Sequence, residues 1–173
     1  MKNFKEQLHK VKAFAFDVDG VFTDGTVLIH PSGELLRSSN TRDGYAVHKA
    51  IQHGFPVAII SGGKSESVRD RFTILGVTDI YLGSTNKVES LEDFRFKYGF
   101  ELDEILYMGD DLPDFEAMQR VGLPTCPADA ATEIIGISSY ISNLGGGKGC
   151  VRDVIEQVLK LKGLWLIDKN FKY

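Results

Sequence analysis

Along the chain, short apolar runs alternate with stretches in which apolar residues recur every three or four positions. The runs Val11–Phe16, Phe55–Ile60, Ile80–Leu82 and Ile105–Met108 each end in polar or glycine residues and predict buried strands. The periodic stretches predict helices. Asp43–His53 carries Val47, Ala50 and Ile51 and stops at Gly54, and Ser65–Leu75 carries Val68, Phe72 and Leu75 and stops at Gly76. Lys87–Tyr98 follows Asn86, a residue that caps helix starts, has Glu89 three residues on, and stops at Gly99. Pro113–Val121 repeats Phe115, Met118 and Val121 before Gly122, and Val151–Leu161 repeats Val151, Val154, Ile155, Val158 and Leu159. Such alternation predicts an α/β fold, a doubly wound, Rossmann-like parallel sheet with helices on both faces. One segment breaks the rhythm. Val27–His30, the turn Pro31-Ser32-Gly33 and Glu34–Arg37 read as a β-hairpin inserted after the first strand, at about residues 26–37. No linker or internal repeat divides the rest, which predicts a single domain over 1–173.

Composition narrows the class. The 173 residues include 20 Lys+Arg and 24 Asp+Glu, a formal net charge of −4. Mild acidity without basic blocks is a poor electrostatic match to nucleic acid or an anionic membrane surface, so neither is expected as a partner. The longest apolar run, Phe55–Ile60, is too short to cross a bilayer. Met1–Gln7 has no apolar segment behind its lysines, so no signal peptide is expected and the expected location is cytoplasmic. Cys126 and Cys150 give neither a disulfide framework nor a paired metal-ligand spacing.

In doubly wound folds ligands sit outside the carboxyl ends of the strands. There the sequence places Asp17-Val18-Asp19-Gly20, then Ser61-Gly62-Gly63, then Leu82–Asn86 leading into Lys87, then Gly109-Asp110-Asp111 with Asp114 close behind. Carboxylates gathered in one crevice repel and raise one another's pKa unless a cation neutralises them, so Asp17, Asp19 and Asp110 imply a divalent ion. An all-oxygen ligand set suits Mg²⁺. A carboxylate can attack phosphorus, and Mg²⁺, a hydroxyl and a lysine can hold a transferring phosphoryl group.

The ordered set Asp17-x-Asp19, Ser61, Lys87 and Gly109-Asp110-Asp111-x-x-Asp114 resembles the haloacid dehalogenase superfamily of phosphatases over roughly the whole chain. The resemblance implies that Asp17 is the nucleophile and that Asp19 is the acid and base. It also implies that Ser61 and Lys87 hold phosphate oxygens. By the same resemblance, Asp17, the backbone carbonyl of Asp19 and Asp110 hold Mg²⁺. Two assignments stay open: Asp111 or Asp114 reaches the metal, or Asp111 anchors Lys87.

Spacing bears on the substrate. Asp17 and Ser61 are 44 positions apart, already filled by a hairpin and a helix, so no cap domain fits. An open site must take a large substrate or borrow a wall from a neighbouring subunit. The apolar hairpin has nowhere obvious to bury itself within one domain, which predicts a homo-oligomer built through the hairpins.

A closer resemblance lies in Asp17–Gly25, Asn40–Gly44, Gly109–Leu112 and Gly145–Asp153, which are similar to the 3-deoxy-D-manno-octulosonate 8-phosphate phosphatases. That family implies capless tetramers that dephosphorylate an eight-carbon keto-acid sugar on the way to lipopolysaccharide. It also implies a substrate site lined by Asn40, Arg42, Asp43, Gly44, Gly62 and Arg71, with Lys148 closing a neighbour's site. Lys148 stands where an arginine is common in the family. Arg42 and Arg71 suit a carboxylate, which a guanidinium binds through two parallel hydrogen bonds. Arg42 tips the reading toward the eight-carbon acid over a nine-carbon relative. Two readings from other classes are a signalling receiver domain and a non-catalytic sugar-acid-binding module. The receiver plan carries its acidic pair after the first strand and its phosphorylated aspartate after a middle strand, whereas here the second acidic cluster follows strand four, and the hairpin has no place in that plan.

Overall fold

The computed structural model describes residues 4–167. The chain opens with α1 (Phe4–Lys10) and β1 (Ala13–Phe16), then the hairpin β2 (Leu28–Ile29) and β3 (Leu35–Leu36). Next come α2 (Thr41–Gln52), β4 (Val57–Ser61), α3 (Glu66–Ile74), β5 (Asp79–Leu82) and α4 (Lys87–Tyr98). A 3-10 turn at Leu102–Glu104 leads into β6 (Ile105–Met108), and a second at Leu112–Asp114 runs into α5 (Phe115–Arg120). The remaining elements are β7 (Leu123–Cys126), α6 (Thr132–Ile137), β8 (Tyr140–Ile141) and α7 (Cys150–Leu161).

Six strands form one sheet in the order β5-β4-β1-β6-β7-β8, with every neighbouring pair parallel. Both faces are covered, so alternate residues of one strand enter different cores. Phe14 and Phe16 pack with Val57, Ile59, Leu106 and Met108 beneath α2, α3 and α7. Ala13 and Ala15 face the other way, among Ile60, Tyr107 and the buried faces of α4, α5 and α6. Register explains the small residue there: Ala15 lies beside Tyr107, whose ring is fully buried and takes the space. Burying a large apolar side chain contributes about 1.5–3 kcal/mol, so these two layers hold the sheet.

The α/β doubly wound plan and its inserted hairpin are as the hydrophobic pattern predicts, and no cap stands between the strands. The pattern anticipated four parallel strands, whereas the sheet has six. It missed β7 because Pro124 sits inside it, a residue that argues against a sheet strand, and β8 because it is only two residues long. Helices α1 and α6 were also missed. The predicted helix Pro113–Val121 is a 3-10 turn followed by the six-residue α5.

The strand order places the site. β1 lies between β4 and β6, and the chain winds outward on either side of it, so the carboxyl ends of β4, β1 and β6 open on one crevice. Among the described residues no helix is long and apolar enough to cross a membrane.

Candidate active site

Asp17 immediately follows β1, and its N–H continues the ladder to the carbonyl of Met108 at 3.0 Å. Its carboxylate is therefore fixed by the centre of the sheet. The chain then turns sharply, with the N–H groups of Val21, Phe22 and Thr23 all reaching the carbonyl of Val18. Gly20 takes a φ of 82° in this turn, and a side chain there would overlap the Asp110 carboxylate. Only glycine meets both demands, a positive φ and close approach to the acid of the neighbouring strand.

Lys87 is the first residue of α4, whose start is capped by Asn86, the side chain accepting from the N–H groups of Val88 and Glu89. That cap aims the Lys87 side chain inward. Its Nζ lies 3.0 Å from Asp17 Oδ1 and 2.7 Å from Asp114 Oδ1, with all three side chains largely buried. Asp114 Oδ1 also accepts from the Tyr107 hydroxyl at 2.7 Å, and Asp114 Oδ2 from the Asp110 N–H at 3.4 Å. Asp114 is thus spent on positioning Lys87, Tyr107 and the loop after β6. Asp111 accepts from the N–H of Leu112 and caps the following turn. It is Asp114 and not Asp111 that anchors Lys87, since only residue 114 is carried back into the core by that turn.

Carboxylate oxygens of Asp17, Asp110 and Asp114 lie within 4.8 Å of one another. Burial, and then the charge of Asp114, push the Asp17 carboxyl up to about 8 against the pull of Lys87. The same two causes push Asp110 up to about 7. Asp110 Oδ1 is buried without a hydrogen-bond partner. A buried acceptor with no donor, beside acids that resist ionising, fits a hard divalent cation such as Mg²⁺. Asp17 and Asp110 supply oxygens toward that position.

Ser61 ends β4, buried, with its Oγ accepting from the Gly63 N–H at 3.1 Å. Gly62, between them, is exposed at the crevice. Asp19 pairs with Arg37 of the hairpin, Nε to Oδ1 at 2.6 Å and Nη2 to Oδ2 at 3.1 Å.

The residues expected to meet the sugar acid are more scattered. Asn40 caps α2 through its Oδ1 and donates from Nδ2 to the carbonyl of Gly147 at 3.3 Å, tying α2 to the glycine-rich loop. That loop lies on the turn after Asp19. Gly147 N–H reaches the carbonyl of Val21 at 2.9 Å, and a side chain at Gly146 would overlap the carbonyls of Gly20 and Thr23. Lys148, largely exposed, stands 3.8 Å from Asp24. Arg42 is exposed and lines two adjoining grooves of about 530 and 610 Å³ together with Arg152. Asp43 is fully buried, with Oδ1 accepting from the Arg152 N–H at 2.7 Å at the start of α7, and burial lifts its carboxyl to about 6. Its side chain holds α7 and does not face solvent. Gly44 lies directly under the Arg71 guanidinium, with Nη2 2.6 Å from where a β-carbon would sit.

Two contributors escaped the sequence reading. Tyr107 looked like strand filler, and Arg37 looked like the polar end of the hairpin. The only available signal for Arg37 was a lone cation closing an apolar insertion close behind the Asp17-x-Asp19 pair.

A family profile described as haloacid dehalogenase-like hydrolase matches residues 71–145. The 3-deoxy-D-manno-octulosonate 8-phosphate phosphatase of Escherichia coli is 37% identical over 153 residues, covering 88% of this chain and 81% of that protein. The crystal structure of the enzyme of that name from Yersinia pestis superimposes with a TM-score of 0.92 at 30% identity, over 95% of this chain and 89% of the other. That from Moraxella catarrhalis, solved with magnesium ion, phosphate ion and KDO, gives 0.91 at 32% identity over 95% of each chain. With that identity spread over most of both chains, and the acids, hydroxyl and lysine gathered at the ends of β1, β4, α4 and β6, this chain belongs to the 3-deoxy-D-manno-octulosonate 8-phosphate phosphatase family of the haloacid dehalogenase-like hydrolases.

Proposed function

We propose that the chain hydrolyses 3-deoxy-D-manno-octulosonate 8-phosphate to the free sugar acid and phosphate, through a phospho-aspartate at Asp17, in making the lipopolysaccharide precursor. The observation that carries this reading is the state of Asp17. It is buried, held by Lys87 and pushed up to about 8, so at neutral pH it ionises fully only when a further cation joins it. Asp17, Asp110 and the backbone carbonyl of Asp19 would hold Mg²⁺, which when bound neutralises these acids and the phosphoryl oxygens.

The chemistry then belongs to the side chains. An oxygen of Asp17 attacks phosphorus, the bond from phosphorus to the sugar oxygen breaks, and Asp19 gives its proton to that oxygen. Asp19, now ionised, takes a proton from water as the water oxygen attacks the phosphorus of the acyl phosphate. The phosphorus–Asp17 bond breaks, and phosphate and free Asp17 result. Lys87 fixes Asp17 in line and faces the phosphoryl oxygens together with Ser61. Asn40, Arg42, Gly44, Gly62 and Arg71 serve the sugar acid, with Arg42 and Arg71 suited to its carboxylate.

The hairpin supports an oligomeric enzyme. Leu28 is 67% exposed and Ile29 72%, with Val27, Leu35 and Leu36 beside them. A single copy leaves this apolar cluster in water, which favours assembly through the hairpins, as a tetramer, with Lys148 of one copy closing the site of another.

The test is phosphate release, with Mg²⁺ and with EDTA, from the eight-carbon and nine-carbon keto-acid sugar phosphates and from hexose phosphates. Metal-dependent release fastest on the eight-carbon acid is expected. Preference for the nine-carbon acid would overturn the substrate and keep the chemistry, and silence on every substrate in folded protein would overturn both.

A further inference from the structure

The hairpin does more than expose apolar residues, because its last residue turns back into the crevice. All three nitrogens of the Arg37 guanidinium are placed. Nε and Nη2 lie on the two oxygens of Asp19 at 2.6 and 3.1 Å, and Nη1 donates to the carbonyl of Leu35 at 2.9 Å. The side chain is only 11% exposed, although the strand preceding it faces water. A β-carbon at Gly63 would lie 3.3 Å from Ser61 Oγ, 3.6 Å from Arg37 Nη2 and 3.8 Å from Asp19 Oδ2. The hydroxyl, the guanidinium and the carboxylate therefore converge on one point at the ends of β4 and β1. A two-point fork fixes the plane of a carboxylate as well as its position, which a single ammonium cannot do.

Resting on the phosphatase reading above, we infer that Arg37 is a positioning residue for Asp19, presenting that carboxyl group to the leaving oxygen, so that the hairpin is part of the catalytic machinery. Among the described residues Asp19 has no other side-chain hydrogen-bond partner, and rotation of its carboxyl group would take it out of reach of the sugar oxygen. The effect of losing Arg37 is bounded by the effect of losing the group it positions. A general acid is worth about 10²–10⁴-fold, and misplacement of such a group by about 1 Å costs on the order of 10²-fold.

The experiment compares wild type, Arg37→Ala, Arg37→Lys, Asp19→Asn and the double variant Asp19→Asn/Arg37→Ala. Each acts on the sugar-acid phosphate and on an aryl phosphate whose leaving group departs without a proton, and thermal melts verify folding. Should Arg37→Ala unfold, Arg37→Gln, which keeps most of the side chain, takes its place. For the sugar phosphate, Arg37→Ala is expected to lower kcat by about 10–100-fold with KM little changed. Arg37→Lys should recover part of the loss, first-turnover release of the aryl alcohol, which needs no proton, should show a much smaller effect, and Arg37→Ala should add nothing in the Asp19→Asn background. Equal losses on both substrates in that first-turnover release, a rise in KM alone, or additive losses in the double variant would show Arg37 acting on substrate independently of Asp19 and overturn the inference. Undiminished turnover by Arg37→Ala overturns it while leaving the phosphatase reading intact. A wild type without metal-dependent turnover overturns both.

Discussion

Lys87 Nζ lies 2.7 Å from Asp114 Oδ1, and neither side chain reaches solvent to any useful extent. Asp114 is buried, and its Oδ1 meets both that ammonium and the Tyr107 hydroxyl. Removing one partner of a buried ion pair strands the other. Lys87→Met should therefore destabilise the fold by about 3–5 kcal/mol and abolish phosphate release. Urea denaturation beside a phosphate-release assay measures both, and a stability change inside experimental error would contradict the pairing.

Metal binding should depend on pH with a definite sign. In the metal-free protein burial pushes Asp17 up to about 8 and Asp110 up to about 7, so both hold protons at pH 6 that Mg²⁺ must displace. Affinity for Mg²⁺ is expected to rise between pH 6 and pH 8, by about tenfold per unit for each proton displaced. Titration calorimetry in two buffers of different ionisation enthalpy would register the released protons. A pH-independent affinity with no proton release would be inconsistent with this charge arrangement.

Asp43 gives a second pH effect, remote from the metal. Its carboxyl is lifted from the ordinary 3.8 to about 6, chiefly by burial, so the folded protein holds this proton more tightly than the unfolded chain does. The stability it contributes is whole below about pH 4 and is lost as pH rises through about 6. Asp43→Asn removes the titration while keeping an oxygen that can accept from the Arg152 N–H. Melting temperatures taken from pH 4 to pH 7 should fall less steeply in Asp43→Asn than in the parent. Parallel curves would argue against a buried, titrating Asp43.

The hairpin predicts assembly. Leu28 and Ile29 stand far out of the fold, so Leu28→Asp/Ile29→Asp should leave secondary structure unchanged and reduce the mass seen by light scattering from an oligomer to a monomer. A wild-type chain that is monomeric at micromolar concentration would remove the hairpin as an interface.

Much of this molecule was legible because its signals are local. The runs ending at Phe16, Ile60 and Met108 are buried strands of the sheet and the run ending at Leu82 is its half-buried edge, and the acids, the hydroxyl and the lysine stand at or soon after their ends. Lys87 could be aimed inward from Asn86 alone, since the cap fixes where the helix begins. What escaped depends on long-range packing. β7 tolerates Pro124 because its residues still stand in register with Leu106, Tyr107 and Met108 of β6, and the carbonyl of Pro124 accepts from the Ser139 N–H. Asp114 and Asp111 are indistinguishable in sequence, and a single 3-10 turn decides that the former is buried on Lys87. Arg37 belongs to Asp19 only because the hairpin folds back over 18 positions. Asp43 sits in a motif that suggests substrate, yet it is buried and its Oδ1 accepts from the start of a helix more than a hundred residues later.

On the proposed chemistry Asp17 is the group that receives the phosphoryl. The most direct test is acid quenching of the Mg²⁺-loaded enzyme during turnover of ³²P-labelled eight-carbon sugar-acid phosphate, followed by peptide mapping. Label is expected on the peptide holding Asp17, absent without Mg²⁺ and absent in Asp17→Asn. Rapid phosphate release with no label on Asp17, or undiminished release by Asp17→Asn, would contradict it.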